Sequence, residues 1–257
     1  MNNTEKWIAF HTIVTKEIRR FMRIWLQTLL PPTITITLYF VIFGTLIGPR
    51  IGTMANFAYI QFVAPGLIMM AVITNSYSNV VSSFYSTKFQ RSIEELLVSP
   101  VPNYIILWGY VIGGVARGLC VGFLVTILAL FFTKLQVHNL LITVAMVVLA
   151  SVLFSLAGFI NAVFARSFDD ISIIPTFVLT PLTYLGGVFY STEMLPEFWQ
   201  KVSLANPILH MINAFRYGML GYSDVSIGWA FAMVILFIVA LSWFSLSLLN
   251  RGVRIRS

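Results

Sequence analysis

A chain of 257 residues that is 58% hydrophobic and only 10% charged cannot keep a wetted surface, because soluble domains carry roughly a quarter charged residues. The sequence therefore reads as an all-α integral membrane protein. Its net charge of +7 fits membrane orientation and contact with anionic lipids better than a nucleic-acid partner. The single Cys120, inside an apolar run, excludes an internal disulfide or a multi-cysteine metal cluster.

Residues 1–25 lack a continuous apolar core, so no cleavable signal peptide is expected. Trp7, Phe10, Val14, Ile18, Phe21 and Trp25 recur at helical spacing, with Lys16, Arg19, Arg20 and Arg23 mainly on the other side. This predicts an amphipathic helix in the membrane interface, aromatics down and basic residues up. The alternative is a plain N-terminal anchor.

A crossing needs about 20 mostly apolar residues, and six stretches qualify: 26–48, 57–83, 104–133, 139–165, 172–190 and 227–249. Pro31, Pro65, Pro175 and Pro181 fall inside them, where neighbouring helices can satisfy the freed carbonyls. There is no repeat and no linker that would hide a second domain. One transmembrane domain is expected over 1–257, with the amphipathic helix at 1–25, the spans over 26–249 and a tail at 250–257.

If the N-terminus is cytoplasmic, the inner segments hold Lys6, Lys16, Arg19, Arg20, Arg23, Lys88, Arg91, Arg166, Arg251, Arg254 and Arg256. The outer segments then hold only Arg50, Lys134, Lys201 and Arg216. That asymmetry predicts both termini inside.

The run KFQRSIEELLVSPVP, residues 88–102, is out of character with its greasy surroundings. Phe89, Ile93, Leu96 and Leu97 share one helical face, Gln90, Arg91, Glu94 and Glu95 take the other, and Pro100 and Pro102 stop the helix. Such an element is either a rigid grip for a soluble partner or a solvated connection.

The inner half of the second span, TNSYSNVVSSFYS, places Asn75, Asn79 and Ser82 or Ser83 on one face. These residues could line the mouth of a path or bond helix to helix. Arg117 is the only charge well inside a predicted span; at a cost of about 3 kcal/mol it must face protein or water. Gly114, Gly118 and Gly122 around it, extended by Gly109 and Gly113, permit close helix approach. With Asn75 and Asn79, Arg117 is the candidate translocation path, the alternative being bonds to a neighbouring helix. Asp169 and Asp170 precede the fifth span, either capping it or touching a partner.

No phosphate-binding loop, H-E-x-x-H or G-x-S-x-G motif occurs, and His11, His138 and His210 lie far apart. No catalytic or metal-ligating residue is expected. All nine acidic residues lie outside the six predicted spans, which weakens a proton- or sodium-driven carrier.

Three segments in order, FQRSIEELLVSPVPNYIILWGYVIGGVARG, PLTYLGGVFYS (181–191) and LPEFWQKVSLANPILHMINAFRYG (195–218), resemble ABC-2-type permeases, the membrane subunits of a class of ATP-binding-cassette exporters. The resemblance extends over nearly the whole chain. It implies six spans, a multi-pass location in a bacterial inner membrane, and a homodimer carrying two cytosolic ATPase subunits. ATP and Mg would be bound there, and no cofactor by this chain.

By the same resemblance, Arg91, Glu94 and Glu95 would contact the ATPase from a coupling helix anchored by Leu96 and Leu97. Lys16, Arg19, Arg20 and Arg23 would belong to a connecting helix. Residues 195–217, broken by Pro196 and Pro207, would form an outer re-entrant pair, and Phe189, Tyr190, Asn206 and Pro207 an outer gate. The rival readings are a passive channel or ATP-independent carrier, and a membrane assembly protein. The substrate is not legible, since 22 Phe and 10 Tyr suit packing and interfacial belts as well as a cavity.

Overall fold

The computed structural model describes residues 1–252, apart from the side chain of Leu97; most of the expected tail, with Arg254 and Arg256, lies outside the described residues. The expected all-α architecture is present. Helix α1 (Asn3–Arg23) opens on a capping box in which Asn2 and Glu5 satisfy each other's backbone ends. After a kink at Ile24, α2 (Trp25–Ile51) follows. It is not a uniform helix, because Phe40–Ile47 is π-helical and the Thr33, Thr37 and Thr45 hydroxyls bond back to carbonyls four residues earlier.

A minimal antiparallel pair, β1 (Thr53–Met54) and β2 (Phe57–Ala58), joins α2 to the next helix. Its two turn residues, Ala55 and Asn56, have φ of 50° and 66°, as a type I′ turn requires.

Helix α3 (Tyr59–Phe89) is the axis of the fold. Its 31 residues reach about 46 Å, and 78% of its most apolar window is buried, against 11% for α2. A two-residue break, Gln90 and Arg91, leads to α4 (Ser92–Val98) and then α5 (Asn103–Phe132). Helix α6 (Leu140–Phe164) and α5 are the main neighbours of α3. Gly158 of α6 makes this possible, since a Cβ there would stand 2.5 Å from the Tyr77 carbonyl oxygen. Exposed apolar side chains concentrate on the outward faces of α2 and of α10 (Ile227–Arg251), among them Ile34, Leu38, Leu46, Leu236, Val239 and Trp243. These are the surfaces suited to lipid.

Among the described residues, five helices, α2, α3, α5, α6 and α10, are long and apolar enough to cross a membrane. The predicted span over 172–190 is different. Helix α7 runs over 170–184 in three five-residue pieces, the middle one (Pro175–Leu179) π-helical. At about 1.5 Å per residue it measures about 22 Å, short of a hydrocarbon core of about 30 Å. Beyond Tyr184 the chain turns at Gly186 and Gly187, the latter at φ 70°. Helices α8 (Glu197–Leu204) and α9 (Pro207–Leu220) then follow. Their breaks coincide with Pro196 and Pro207, as expected, because proline suits a first turn and cannot continue a preceding one.

Candidate functional site

Three polar regions interrupt this apolar bundle. The first is a seam among α1, α3 and α5. The buried stripe of α1 is Ile13, Glu17 and Phe21, while Trp7 and Trp25 remain 65% and 52% exposed. Trp7 and Trp25 stay on the surface, and the spacing did not indicate that Phe21 and Arg20 turn into the bundle with Glu17. The cause lies on α5, where Gly109 and Gly113 leave a groove that a Cβ would fill, 2.5 Å from Ile13 Cγ2 and Glu17 Cβ respectively.

Seated there, Glu17 is fully buried; its Oε1 accepts from the Ser83 hydroxyl at 2.8 Å and its Oε2 lies 3.5 Å from Arg20 Nε. Arg20 also turns inward and donates to the carbonyl and Oδ1 of Asn79 at 3.0 and 2.9 Å. One layer further along α3, Arg117 donates to Asn75 Oδ1 and to the Thr28 carbonyl, both at 3.1 Å. Asn75, Asn79 and Arg117 are thus brought together, but each bonds to protein and is at most 9% exposed. Lys16, Arg19 and Arg23 stay on the surface.

Arg117 is not alone as a buried charge, since Glu17 and Arg216 are both fully buried. Sequence reasoning had placed Glu17 at the inner surface and Arg216 in an outer loop.

The second region is the corner around α4. One helix from residue 88 onward was expected; instead α3 ends at Phe89, and Arg91, at φ 58°, starts a separate helix. Lys88 is a cap, donating to the Val163 and Ala165 carbonyls at 2.7 and 2.8 Å, where a cation complements the C-terminus of α6. Phe89 stacks edge-on against Phe168, centroids 5.1 Å apart. On α4 the inward anchor is Ile93, 1% exposed. Leu96 is half-buried, and the side chain of Leu97 lies outside the described residues. Arg91 and Glu95 are exposed and Glu94 is half-buried. The corner is stiffened at its far side, where Asn103 Nδ2 donates to Asn250 Oδ1 of α10 at 2.7 Å. In the neighbouring 165–170 loop Asp169 makes no cap bond. Asp170 accepts from the Arg166 and Ser167 amides, and the Arg166 amide and Ser167 hydroxyl hold its carboxyl below the usual range.

The third region lies at the opposite end. Phe189 packs against Phe43, Tyr39 and Tyr184 with centroids 4.4, 5.9 and 6.0 Å away, and the two tyrosine hydroxyls pair at 3.0 Å. Tyr190 is half-buried beside it. Asn206 caps α9 through the Ile208 amide and ties it to α7 by donating to the Leu182 carbonyl at 2.6 Å. Pro207 occupies the first helical position there.

Beneath these residues, Arg216 donates to the carbonyls of Gly187 (2.6 Å) and Phe62 (3.3 Å) and to Asn213 Oδ1 (3.3 Å), its guanidinium 3.9 Å from the Phe62 ring centroid. Asp224 joins the same knot through the Ser191 hydroxyl, the Thr192 amide and the Tyr222 hydroxyl. Burial acts to raise its pKa, but the Thr192 amide, the Tyr222 and Ser191 hydroxyls and the charge of Arg216 outweigh it and hold the carboxyl below the usual range. Asn213, one turn before Arg216, was the overlooked signal, a second strong hydrogen-bonding residue on the same face of a largely buried helix.

Among the described residues, no group of His, Cys, Asp and Glu is placed to hold a metal ion. The scaffold is a bundle of membrane-length helices with a polar seam at one end, a stiff charged corner beside it and an aromatic cluster at the other, the build of a membrane permease.

The chain belongs to the ABC-2 type transporter family, whose model matches residues 8–220. It is 61% identical over 251 residues to the inner membrane transport permease YadH of Escherichia coli K12, an alignment covering 98% of both chains. It is also 23% identical over 209 residues to nodulation protein J of Rhizobium leguminosarum bv. trifolii, covering 81% of this chain and 80% of that one. Nodulation protein J of Rhizobium meliloti is similar at 24%. The resemblance read from the three sequence motifs is thereby borne out.

Proposed function

We propose that the chain is the permease subunit of an ATP-driven exporter, forming a translocation path and coupling to a separate cytosolic ATPase. The observation that carries this is the corner at α4. A helix with a buried Ile93 anchor presents Arg91 and Glu95 outward and joins α3 and α5 through very short connections. A force on its charged face would reach the two central helices directly. The family's association with ATP-binding subunits fits this, with ATP and Mg held by the partner.

In this reading the chain has six crossings, both termini are cytoplasmic, and two copies pair in the bacterial inner membrane to carry two ATPases. The fifth crossing consists of α7 completed by residues 185–190. Irregular backbone at membrane depth is tolerated where protein satisfies it. The Gly187 and Phe189 carbonyls accept from Arg216 and from the Tyr59 hydroxyl. Helices α8 and α9 then form the re-entrant pair, and the Phe189 cluster closes the outer end. Asn75, Asn79 and Arg117 border the path only in a state in which their present bonds open. An ion-driven carrier is the second reading, favoured by the buried Glu17, although its bonds to Ser83 and Arg20 also suit a purely structural role.

The test is Glu95→Lys in the chain co-expressed with its ATPase. The variant should fold normally, as exposed substitutions usually change stability by less than about 0.5 kcal/mol. It should nevertheless lose substrate-dependent ATP hydrolysis. Normal transport by this variant, or transport without any ATPase, would overturn the coupling role of α4.

A further inference from the structure

Between α1 and the α4-proximal end of α3 lies a cavity of about 910 Å³, lined by Lys16, Arg19, Arg20, Met22, Arg23, Ser83, Ser86, Thr87, Gln90 and Ser92. This is within the range of about 300–1,000 Å³ common for small-ligand sites. Its walls match in register. The cations of α1 fall at positions 16, 19, 20 and 23, and facing them on α3 and its C-cap are hydroxyls and an amide at 83, 86, 87 and 90. Both sets follow the i, i+3, i+4, i+7 spacing of a single helical face.

No carboxylate lines the cavity. Glu17 lies beneath it, already bonded to Ser83 and paired with Arg20, so it offsets one cation. Lys16, Arg19 and Arg23 have no acidic partner within ion-pair distance among the described residues. A smaller cavity shares Lys16, Thr87 and Ser92 and continues to Glu95, Leu96 and Ser99.

We propose that this cleft binds a phosphate group, either of a lipid headgroup or of a soluble phosphorylated compound. Lys16, Arg19, Arg23, Ser86 and Gln90 supply the donors of the lining, the Ser83, Thr87 and Ser92 hydroxyls already donating to Glu17 and to the Ser83 and Thr87 carbonyls, and phosphate oxygens only accept. Arginine forks match phosphate geometry two bonds at a time. The recess matters as much as the charge, because it sets Ser86 and Gln90 against the cations of α1. The site stands apart from the transport reading, since it needs only the geometry of α1 against α3.

The full chain, purified in an uncharged maltoside detergent, is titrated with inorganic pyrophosphate and, separately, with phosphatidic acid against phosphatidylcholine. Saturable binding should weaken about tenfold or more in Arg19→Gln/Arg23→Gln, a loss of about 1.4 kcal/mol. Both residues are exposed, so folding should be unaffected. Gln90→Glu, which places an anion at the rim, should weaken binding in the same direction. Arg50→Gln/Lys134→Gln removes the same net charge elsewhere and should change nothing.

Binding of pyrophosphate supports a soluble source, and binding of phosphatidic acid alone supports a lipid headgroup. The proposal fails if neither ligand saturates, or if the control pair weakens binding equally. It also fails if Arg19→Gln/Arg23→Gln impairs ATPase capture while leaving phosphate binding intact, which would make the cleft a protein-docking surface.

Discussion

Two buried polar clusters sit at opposite ends of this bundle, and they are satisfied to very different degrees. Around Arg216, all three guanidinium nitrogens donate, both Asp224 oxygens accept, and Asn213 uses both ends of its amide. Around Glu17, by contrast, Glu17 Oε2, Arg20 Nε, Asn79 Nδ2, Arg117 Nε and Ser76 Oγ are buried without a hydrogen-bond partner. A fully paired network at low dielectric holds one arrangement firmly, whereas a partly paired one leaves energy to be gained by rearranging. The Arg216 cluster, the outer knot in the proposed topology, is expected to act as the fixed point. The Glu17 cluster, the inner seam that ties α1 to the two helices flanking α4, is expected to be the part that shifts.

The largest effect is expected at the fixed point. Arg216→Leu strips the Gly187 and Phe62 carbonyls of their donor and removes the charge near Asp224. Breaking a buried charge network in this way costs about 3–5 kcal/mol, so the variant should lose most of its thermal stability in detergent. If it melts like wild type, the outer knot is not the anchor and the contrast collapses.

The next effect is steric. Gly113→Val sets side-chain carbons where Glu17 Cβ now lies, and overpacking typically costs about 1–3 kcal/mol. Protease cleavage within α1 should accelerate while the rest of the bundle stays protected. Equal exposure of every helix would mean that α1 is no separable unit.

The seam itself is probed by a double-mutant cycle. Arg20→Gln leaves Glu17 buried without its cation and should cost about 1–3 kcal/mol. Adding Glu17→Gln should recover part of that loss, with a coupling energy of about 0.5–3 kcal/mol. Because the seam is only partly satisfied, the double variant should alter ATPase coupling more than it alters stability. Additive stabilities with unchanged coupling would place these residues among ordinary packing contacts.

How much of this was legible follows from what periodicity encodes. The five membrane-length helices announce themselves by apolar length, and the breaks at Pro196 and Pro207 by proline stereochemistry. Over residues 172–190, apolar length gave no sign of the π-helical stretch or the Gly186–Gly187 turn. The buried stripe of α1 escaped notice for a related reason. Hydrophobic spacing ranks faces by greasiness, but the docked face is the one that fits the Gly109–Gly113 groove of a helix 96 residues further along the chain. The clustering of Asn75, Asn79 and Arg117 was readable because polar residues inside spans must meet one another. Glu17 was not, since it seemed to belong to a solvated helix.

The smallest predicted effect concerns Asp224 and gives the outer knot a pH signature. Its folded-state pKa is lowered, by the Thr192 amide, the Tyr222 and Ser191 hydroxyls and Arg216 acting against burial. A depressed carboxylate contributes stability that is fully present above the unfolded value of about 3.9 and is lost as pH falls through the lower folded value. Wild type and Asp224→Asn should therefore differ by a constant margin in melting temperature between pH 5 and 7, and the margin should narrow below about pH 4. If Asp224→Asn instead melts with the same margin below wild type at every pH, the Asp224 carboxylate does not hold this knot. The division into a fixed end and a shifting end would then have to be abandoned.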